Sequence, residues 1–232
     1  MIPDASRLIG ASVESDVLGG MTLLGMRRFG ITRSSQVIKR TFDVATSGLL
    51  LLLLSPLLAA IAIAIRLDQR GAPILYRQRR IGREGQTFWM IKFRTMNEDS
   101  HRLRENLREL DEGAHGLFKI PDDPRATRVG RRLRRHNLDE LPQLINVLRG
   151  EMSLVGPRPL VPEEDSSVPS TYRRRLSVRP GITGHWQVLG SARVPLEEMV
   201  KLDYLYVANW SLWGDIVLIA RTVPLIARGR GM

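Results

Sequence analysis

The 232-residue chain contains no cysteine, and this absence excludes disulfides, thiolate metal sites and thiol catalysis. Histidine is scarce, at four residues without an H-E-x-x-H motif, so the sequence does not favour a zinc hydrolase. Acidic residues number 24 against 35 Lys and Arg, which leaves a net charge of +11. A charge of this size indicates a polyanionic partner: nucleic acid, anionic lipid headgroups or a phosphorylated substrate.

Charged residues are missing altogether from one long segment. Residues 44–65 are uncharged and almost wholly apolar. As an unbroken helix at about 1.5 Å per residue they would reach roughly 33 Å, about the thickness of a bilayer core. A secretory signal peptide would lie nearer the first residue with a shorter apolar region, and a buried core helix would normally carry a polar face. The sequence therefore predicts a membrane-embedded helix at 44–65.

Two features of this segment bear on whether it crosses the bilayer. Basic residues flank it on both sides, whereas positive charge normally marks only the cytoplasmic end of a spanning helix. Ser55 and Pro56 lie at its midpoint, where proline removes one helical hydrogen bond and a nearby Ser hydroxyl can satisfy the freed carbonyl. Both features favour a re-entrant helix-break-helix that enters and leaves on the same face. An ordinary kinked span is the alternative, because prolines are common in membrane helices.

The remaining sequence predicts a mainly α protein with a small β-hairpin, an α+β fold class, with amphipathic surface helices. Residues 74–80 and 86–93 are β-favouring runs around a glycine-containing turn, which predicts the hairpin. Residues 138–149 carry apolar residues at the i, i+3, i+4, i+7 spacing of an amphipathic helix. Residues 1–34 lack firm periodicity and are expected to form a mobile tail or a short surface helix. Further helices are expected at 97–112, 126–135, 196–208 and 212–228.

The polar chemistry concentrates in residues 131–159. Asp139 and Glu140 are adjacent acids at a predicted helix start, where capping and catalysis explain the pair equally well when it is taken alone. A run of arginines lies just upstream, which by itself is typical of a solvated or lipid-facing helix face. Arg158 lies between two prolines, so its guanidinium can be aimed at a phosphate with little loss of entropy. Two carboxylates and several arginines are the parts of a phosphate site with Mg²⁺, which takes one or two carboxylates and bridges phosphate oxygens.

The stretch LDELPQLINVLRGEMSLVGPRPL at 138–160 resembles the bacterial monotopic polyprenyl-phosphate phosphoglycosyl transferases, which begin exopolysaccharide, O-antigen and glycoprotein glycan assembly. The resemblance covers about residues 36–228 and implies a catalytic domain there, with an N-terminal extension at 1–35 and a tail at 229–232. The chain is similar to the catalytic core of the larger members without their multi-span N-terminal region. Shorter matching stretches follow in the family order: KRTFD (39–43), SP (55–56), KFRTM (92–96), RPGITG (179–184), WQV (186–188) and LDYLYVANWSLWGDI (202–216).

This resemblance implies a re-entrant membrane helix broken at Ser55-Pro56. It further implies transfer of a sugar-1-phosphate from a UDP-sugar to polyprenyl phosphate, with release of UMP, at the cytoplasmic face of the bacterial inner membrane. Asp139 would attack the β-phosphate and form a phosphosugar-aspartyl intermediate, which predicts ping-pong kinetics. Glu140 would assist as a metal-site or general-base partner, with Mg²⁺ bridging the acid pair and the diphosphate. The residues expected to hold phosphates are Arg158, Arg134, Lys92 and Arg94.

One departure from the family concerns an arginine near the WQV motif. The family usually continues to a G-R pair, whereas this chain has Gly190-Ser191 and then Arg193, so the role of that arginine is open. Anionic membrane lipids are expected partners, and a second copy of the chain is a further candidate.

Two other functions are suggested by parts of the sequence. Nucleic-acid binding would explain the charge, but it does not need a 22-residue uncharged segment, and no stacking surface is evident; nucleic acid is therefore not an expected partner. A membrane scaffold without catalysis is the second alternative. The intact acid pair and the GPRP loop argue against it.

Overall fold

The computed structural model describes residues 14–18, 21–25, 30–97, 123–188 and 195–227. Among them, the helices are α1 (Arg33–Asp68), α2 (Arg128–Arg135), α3 (Gln143–Arg149), α4 (Pro162–Ser166), α5 (His185–Val188), α6 (Leu196–Ala208) and α7 (Leu212–Ala227). The strands of the same residues pair as β1 (Glu14–Leu18) with β2 (Met21–Gly25), β3 (Leu75–Ile81) with β4 (Thr87–Phe93), and β5 (Ser153–Val155) with β6 (Gly181–Thr183). The predicted mainly α, α+β class is confirmed at this level.

The β3–β4 hairpin is the one that the sequence predicts. Its strands are antiparallel, with Leu75 opposite Phe93 at the open end and Ile81 opposite Thr87 near the turn. The turn passes through positive φ at Glu84 (57°) and Gly85 (78°), a region that glycine adopts without steric cost. The hairpin carries Lys92 of β4 to the acid pair, and Arg80 of β3 lies on the same face of the hairpin as Lys92.

A second antiparallel hairpin, β1–β2, lies in the N-terminal region. The expectation of a mobile tail or a short surface helix over residues 1–34 is wrong where these two strands lie. A strand of five residues places only two or three side chains on each face, which is too few for a period to be recognised in the sequence.

Helix α1 is a single helix of 36 residues that includes Pro56. Thr32 caps its N-terminus by accepting a hydrogen bond from the Ser35 N–H. Pro56 has no N–H to donate to the Leu52 carbonyl, and the Ser55 hydroxyl donates to that oxygen at 2.8 Å, as the sequence predicts. The helix is continuous through this point, so the helix-break-helix expected at Ser55-Pro56 is not confirmed.

One face of α1 packs on the rest of the chain, and the opposite face is exposed. Its buried residues are Lys39, Asp43, Ser47, Ile61 and Ile65. The most apolar 18-residue stretch of α1 is only 11% buried, which separates this helix from the core helix of a soluble protein. The exposed face carries a run of large apolar side chains. Contiguous apolar exposure of this kind is typical of a surface that contacts a membrane or another protein. Its members include Leu49, Leu52, Leu53, Leu57 and Ile63.

The domain beside α1 has its main core around α3, β5 and α6, where Val147, Met152, Val155 and Val207 are fully buried. A second cluster lies beneath α6 and contains Trp186. A third cluster fixes the C-terminal half of α1 to β4 and α2, through Ile61, Ile65, Phe93 and Leu133. The three clusters hold α1 and the segments that carry the acid pair in one packed unit.

Most of the predicted helices of this domain are confirmed, and one of them is divided into two segments. The helices expected at 126–135, 196–208 and 212–228 correspond to α2, α6 and α7. The helix expected at 138–149 is split into a 3-10 turn at Leu138–Glu140 and α3, with Pro142 between them. Proline lacks the N–H that an uninterrupted helix would need there. The helix expected at 97–112 lies outside the described residues.

Candidate functional site

The acid pair lies in the 3-10 turn between α2 and α3. Asn137, just before the turn, has a left-handed φ of 51°, which turns the chain sharply at the end of α2. No side-chain capping bond is made by Asn137 at this turn or at the start of α3. The helix capping by Asn137 that the sequence leaves open is therefore not seen in the structure. Both carboxylates are available for other contacts.

Glu140 is held by Lys92 of β4. The Lys92 Nζ atom donates to Glu140 Oε1 at 2.6 Å. Burial raises the pKa of Glu140, but the charge and the hydrogen bond of Lys92, aided by Arg158 and Arg80, outweigh it and lower the pKa below its ordinary value. Glu140 is therefore an ionised carboxylate fixed by its partner.

Asp139 has a different environment from its neighbour. It is 8% exposed, and within the described part of the chain its carboxylate has neither an ion pair nor a side-chain hydrogen bond. Burial, followed by the nearby Glu140 charge, raises the pKa of Asp139 to about 6, against the lowering effects of Lys92 and Arg134. Adjacent acids whose environments separate their pKa values are typical of sites where the two groups have different chemical roles.

Arg158 approaches the acid pair from the GPRP loop. Its backbone N–H donates to Asp203 Oδ2 at 3.1 Å, and its guanidinium carbon lies 4.1 Å from the centroid of the Trp186 ring. Burial lowers the pKa of Arg158, while Glu164, Glu140 and Asp203 oppose that effect. The electrostatic coupling to Glu140 associates Arg158 with the same site as Lys92.

Arg80 is a site residue that the sequence does not single out, because it lies in a run of basic residues that follows the apolar segment. It lies on the less exposed face of β3 and is 9% exposed. Its guanidinium donates to the Pro159 carbonyl at 3.0 Å. Burial, with the charge of Arg158 as second cause, lowers the pKa of Arg80 to about 10. The alternation of Leu75, Arg77 and Arg79 on the outer face of β3 was the signal that could have singled it out.

The other two predicted phosphate-binding arginines are placed less directly. Arg134 of α2 lies 3.6 Å from Asp123, which also pairs with Arg125 at 2.7 Å, and its charge acts on Asp139. Arg94 follows β4 and lines an open depression with Tyr76 and Arg77; the described contacts do not bring it to the acid pair. Arg193 lies outside the described residues.

The acid pair fits a magnesium ion in its donor chemistry. No group of three or more acidic, His or Cys side chains with metal-site spacing occurs in the described ranges. Mg²⁺ needs only one or two protein carboxylates when substrate phosphates supply further oxygens. Burial and the neighbouring Glu140 charge raise the pKa of Asp139, and a bound cation would favour its ionised form.

Comparison with known proteins finds similarity over most of the chain. The sequence model of the bacterial sugar transferases matches residues 34–229. The exopolysaccharide production protein ExoY of Sinorhizobium fredii is 43% identical over 199 residues, which are 84% of this chain and 88% of the relative.

Two further relatives carry names that state an activity. The undecaprenyl-phosphate galactose phosphotransferase of Salmonella typhimurium is 41% identical over 203 residues, 86% of this chain. The UDP-glucose:undecaprenyl-phosphate glucose-1-phosphate transferase of Caulobacter vibrioides is 43% identical over 195 residues, which cover 80% of this chain and 68% of the relative. The chain spans only 42% of the Salmonella relative. The match over 34–229 shows that this chain belongs to the bacterial sugar transferase family.

Proposed function

We propose that this protein transfers a sugar-1-phosphate from a UDP-sugar to polyprenyl phosphate and releases UMP, as a first membrane step of exopolysaccharide or related glycan synthesis. The names of the relatives support both substrates. The observation that carries the proposal is the pair of a buried Asp139, without a side-chain partner among the described residues, and a partly buried Glu140 that Lys92 holds. A scaffold without catalysis has no need of such a pair.

Asp139 and Glu140 have different roles in this proposal. An Asp139 carboxylate oxygen attacks the β-phosphorus of the UDP-sugar, the bond from that phosphorus to the bridging oxygen breaks, and UMP leaves with the electron pair. A phosphate oxygen of polyprenyl phosphate then attacks the same phosphorus and releases Asp139. Asp139 is the better nucleophile of the pair because Glu140 is fixed by Lys92 at 2.6 Å. Glu140 keeps its second oxygen for a metal or a proton.

Positive charge around the pair makes the approach of a diphosphate feasible. Lys92 neutralises Glu140, and the guanidinium groups of Arg158 and Arg80 act electrostatically on the same carboxylate. Asp139 and Glu140 would hold Mg²⁺, which supplies charge neutralisation to the diphosphate when bound. With these groups in place, a carboxylate can reach phosphorus without prohibitive repulsion.

Contacts at both ends of α1 support a re-entrant position of this helix, and the basic residues on both flanks support a cytoplasmic active site. At its start, Arg40 donates to the carbonyls of Val147 and Leu148 in α3 at 2.6 and 2.9 Å. At its end, Gln69 donates to the Met96 carbonyl, just after β4, at 3.2 Å. A bilayer core of about 30 Å could not separate the two ends of α1 if one polar domain binds both. The exposed apolar face of α1 would then enter the membrane from one side, and the flanking arginines would meet anionic lipids.

The intermediate is tested without the lipid acceptor. Incubating the protein with a radiolabelled UDP-sugar should release at most about one UMP per active site and leave a phosphosugar on the peptide that contains Asp139. Asp139→Asn should abolish both, whereas Glu163→Gln, an exposed acid in α4, should change neither. If UMP appears only when polyprenyl phosphate is present and no adduct forms, transfer is direct and Asp139 is not the nucleophile. A panel of UDP-sugars in the same assay identifies the donor.

The topology is tested in the same cysteine-free chain. Single cysteines at Ser34 and Arg70, both exposed and on either side of the apolar stretch, should react with an impermeant maleimide from the cytoplasmic face only. Labelling from opposite faces of sealed vesicles would contradict the re-entrant arrangement.

A further inference from the structure

The guanidinium of Arg158 rests against a buried tryptophan. The Arg158 Cζ atom lies 4.1 Å from the centroid of the Trp186 ring, well within the range of a cation–π contact. Trp186 is 1% exposed and belongs to the apolar cluster beneath α6, with Leu160, Met199 and Val200. The ring is therefore a rigid surface, held by packing on its other sides.

The main chain of Arg158 is fixed independently of its side chain. Its N–H donates to Asp203 Oδ2 at 3.1 Å, and its carbonyl accepts from Arg175 Nη2. Arg175, which is 1% exposed, also donates to Asp203 through Nε and Nη2 at 3.2 and 3.0 Å. With both peptide groups of Arg158 held, the remaining freedom lies in its side-chain torsions, and Trp186 restricts those.

An aromatic face suits this position for an electrostatic reason. Burial and, after it, the charge of Arg158 lower the pKa of Arg80 to about 10, so the two guanidinium groups repel each other. Glu164, Glu140 and Asp203 already act electrostatically on Arg158, and a further carboxylate against it would compete with a phosphate for the same charge. The Trp186 ring attracts the cation through its quadrupole and supplies no counter-charge.

We propose that Trp186 is a positioning residue, which holds the Arg158 guanidinium beside the acid pair so that it meets the diphosphate of the donor. This inference rests on the proposed function, in which Arg158 binds phosphate. It assigns a role in the reaction to a side chain that would otherwise count only as part of the apolar core.

A double-mutant cycle on UMP release separates positioning from packing. Trp186→Leu should lower kcat/KM about tenfold per folded molecule, and Trp186→Phe should restore most of it because a smaller ring face remains. In an Arg158→Gln background, Trp186→Leu should have less than about a twofold further effect, because the group that it positions is gone. Met199→Ala, a fully buried change in the same cluster, is the control: it should lower the thermal midpoint, and any effect on rate should be the same in both backgrounds.

Each outcome decides between the possibilities. If Trp186→Leu lowers the rate by the same factor with and without Arg158, Trp186 is a packing residue only and the inference is overturned, while the phosphate role of Arg158 stands. If Arg158→Gln alone leaves UMP release unchanged, Arg158 does not bind phosphate in the reaction, and the positioning role of Trp186 is overturned as well. Should the leucine variant fail to fold, Trp186→Phe carries the same test, with a loss of about two- to threefold that disappears in the Arg158→Gln background.

Discussion

The buried ion pair that links α1 to α7 should contribute strongly to the stability of the domain. Lys39 Nζ lies 2.6 Å from Asp215 Oδ2, and the two side chains are 7% and 1% exposed. Asp215 also accepts from the Tyr206 hydroxyl at 2.8 Å and from Trp210 Nε1 at 3.0 Å. Lys39→Met would keep the apolar stem of the side chain and remove only the charge, which leaves the Asp215 carboxylate buried without its cation.

The expected loss follows from that burial. Removing one partner of a buried pair costs about 3–5 kcal/mol of folding free energy. The lower end, about 3 kcal/mol, applies because Tyr206 and Trp210 still donate to the carboxylate. At about 2–4 °C per kcal/mol for a domain of this size, the thermal midpoint in detergent micelles should fall by about 6–12 °C. Arg33→Met, an exposed change on the same helix, should alter the free energy of unfolding by less than about 0.5 kcal/mol.

A second variant tests the reason for the loss. Lys39→Met combined with Asp215→Asn removes both charges of the pair and keeps one acceptor oxygen for Tyr206 or Trp210, so it should recover part of the lost stability. The reasoning is refuted if Lys39→Met matches the Arg33→Met control, or if the double variant is less stable than the single one.

Three further outcomes are expected. In metal-free protein, Asp139 should be protonated below pH about 6 and ionise as the pH rises through that value. Carboxyl ¹³C NMR should show this ionisation at lower pH in Glu140→Gln, because the variant removes the neighbouring negative charge. An unchanged titration would contradict the electrostatic coupling of the two acids. Gly130→Ala would put a Cβ 2.1 Å from a backbone oxygen and should cost about 1–3 kcal/mol in thermal unfolding, whereas Gly48→Ala meets open space and should not destabilise. Asn146→Ala removes side-chain bonds to two β4 main-chain groups and should cost about 2–4 kcal/mol, with faster hydrogen exchange in β4; unchanged exchange would count against it.

Several parts of the fold follow from local sequence. The apolar stretch at 44–65, the β3–β4 hairpin and the helices α2, α6 and α7 are all predicted from patterns within one element. Such patterns work because side-chain periodicity, turn residues and the missing proline N–H act on the nearest turns of the chain. The function was likewise indicated by one continuous stretch at 138–160, in which the acid pair and Arg158 are close in sequence.

Other features depend on segments far apart in sequence. Lys92 meets Glu140 across 48 residues, and Arg80 reaches the Pro159 carbonyl across 79 residues. The local pattern does not reveal that Glu140 would be ionised and fixed while Asp139 has a raised pKa, because that difference arises from burial and from charges on β3, β4 and the GPRP loop.

The membrane helix shows the same division between local and tertiary information. Composition by itself predicts that residues 44–65 are membrane-embedded, because no charged residue interrupts them. Which face of α1 is exposed, and that both of its ends bind one domain, was decided only by tertiary contacts at Arg40 and Gln69. A sequence pattern indicates which side chains of a segment can be buried, whereas tertiary packing decides which other segments cover them. The chemistry of the acid pair depends on the packing, because the residues that act on it come from distant parts of the chain.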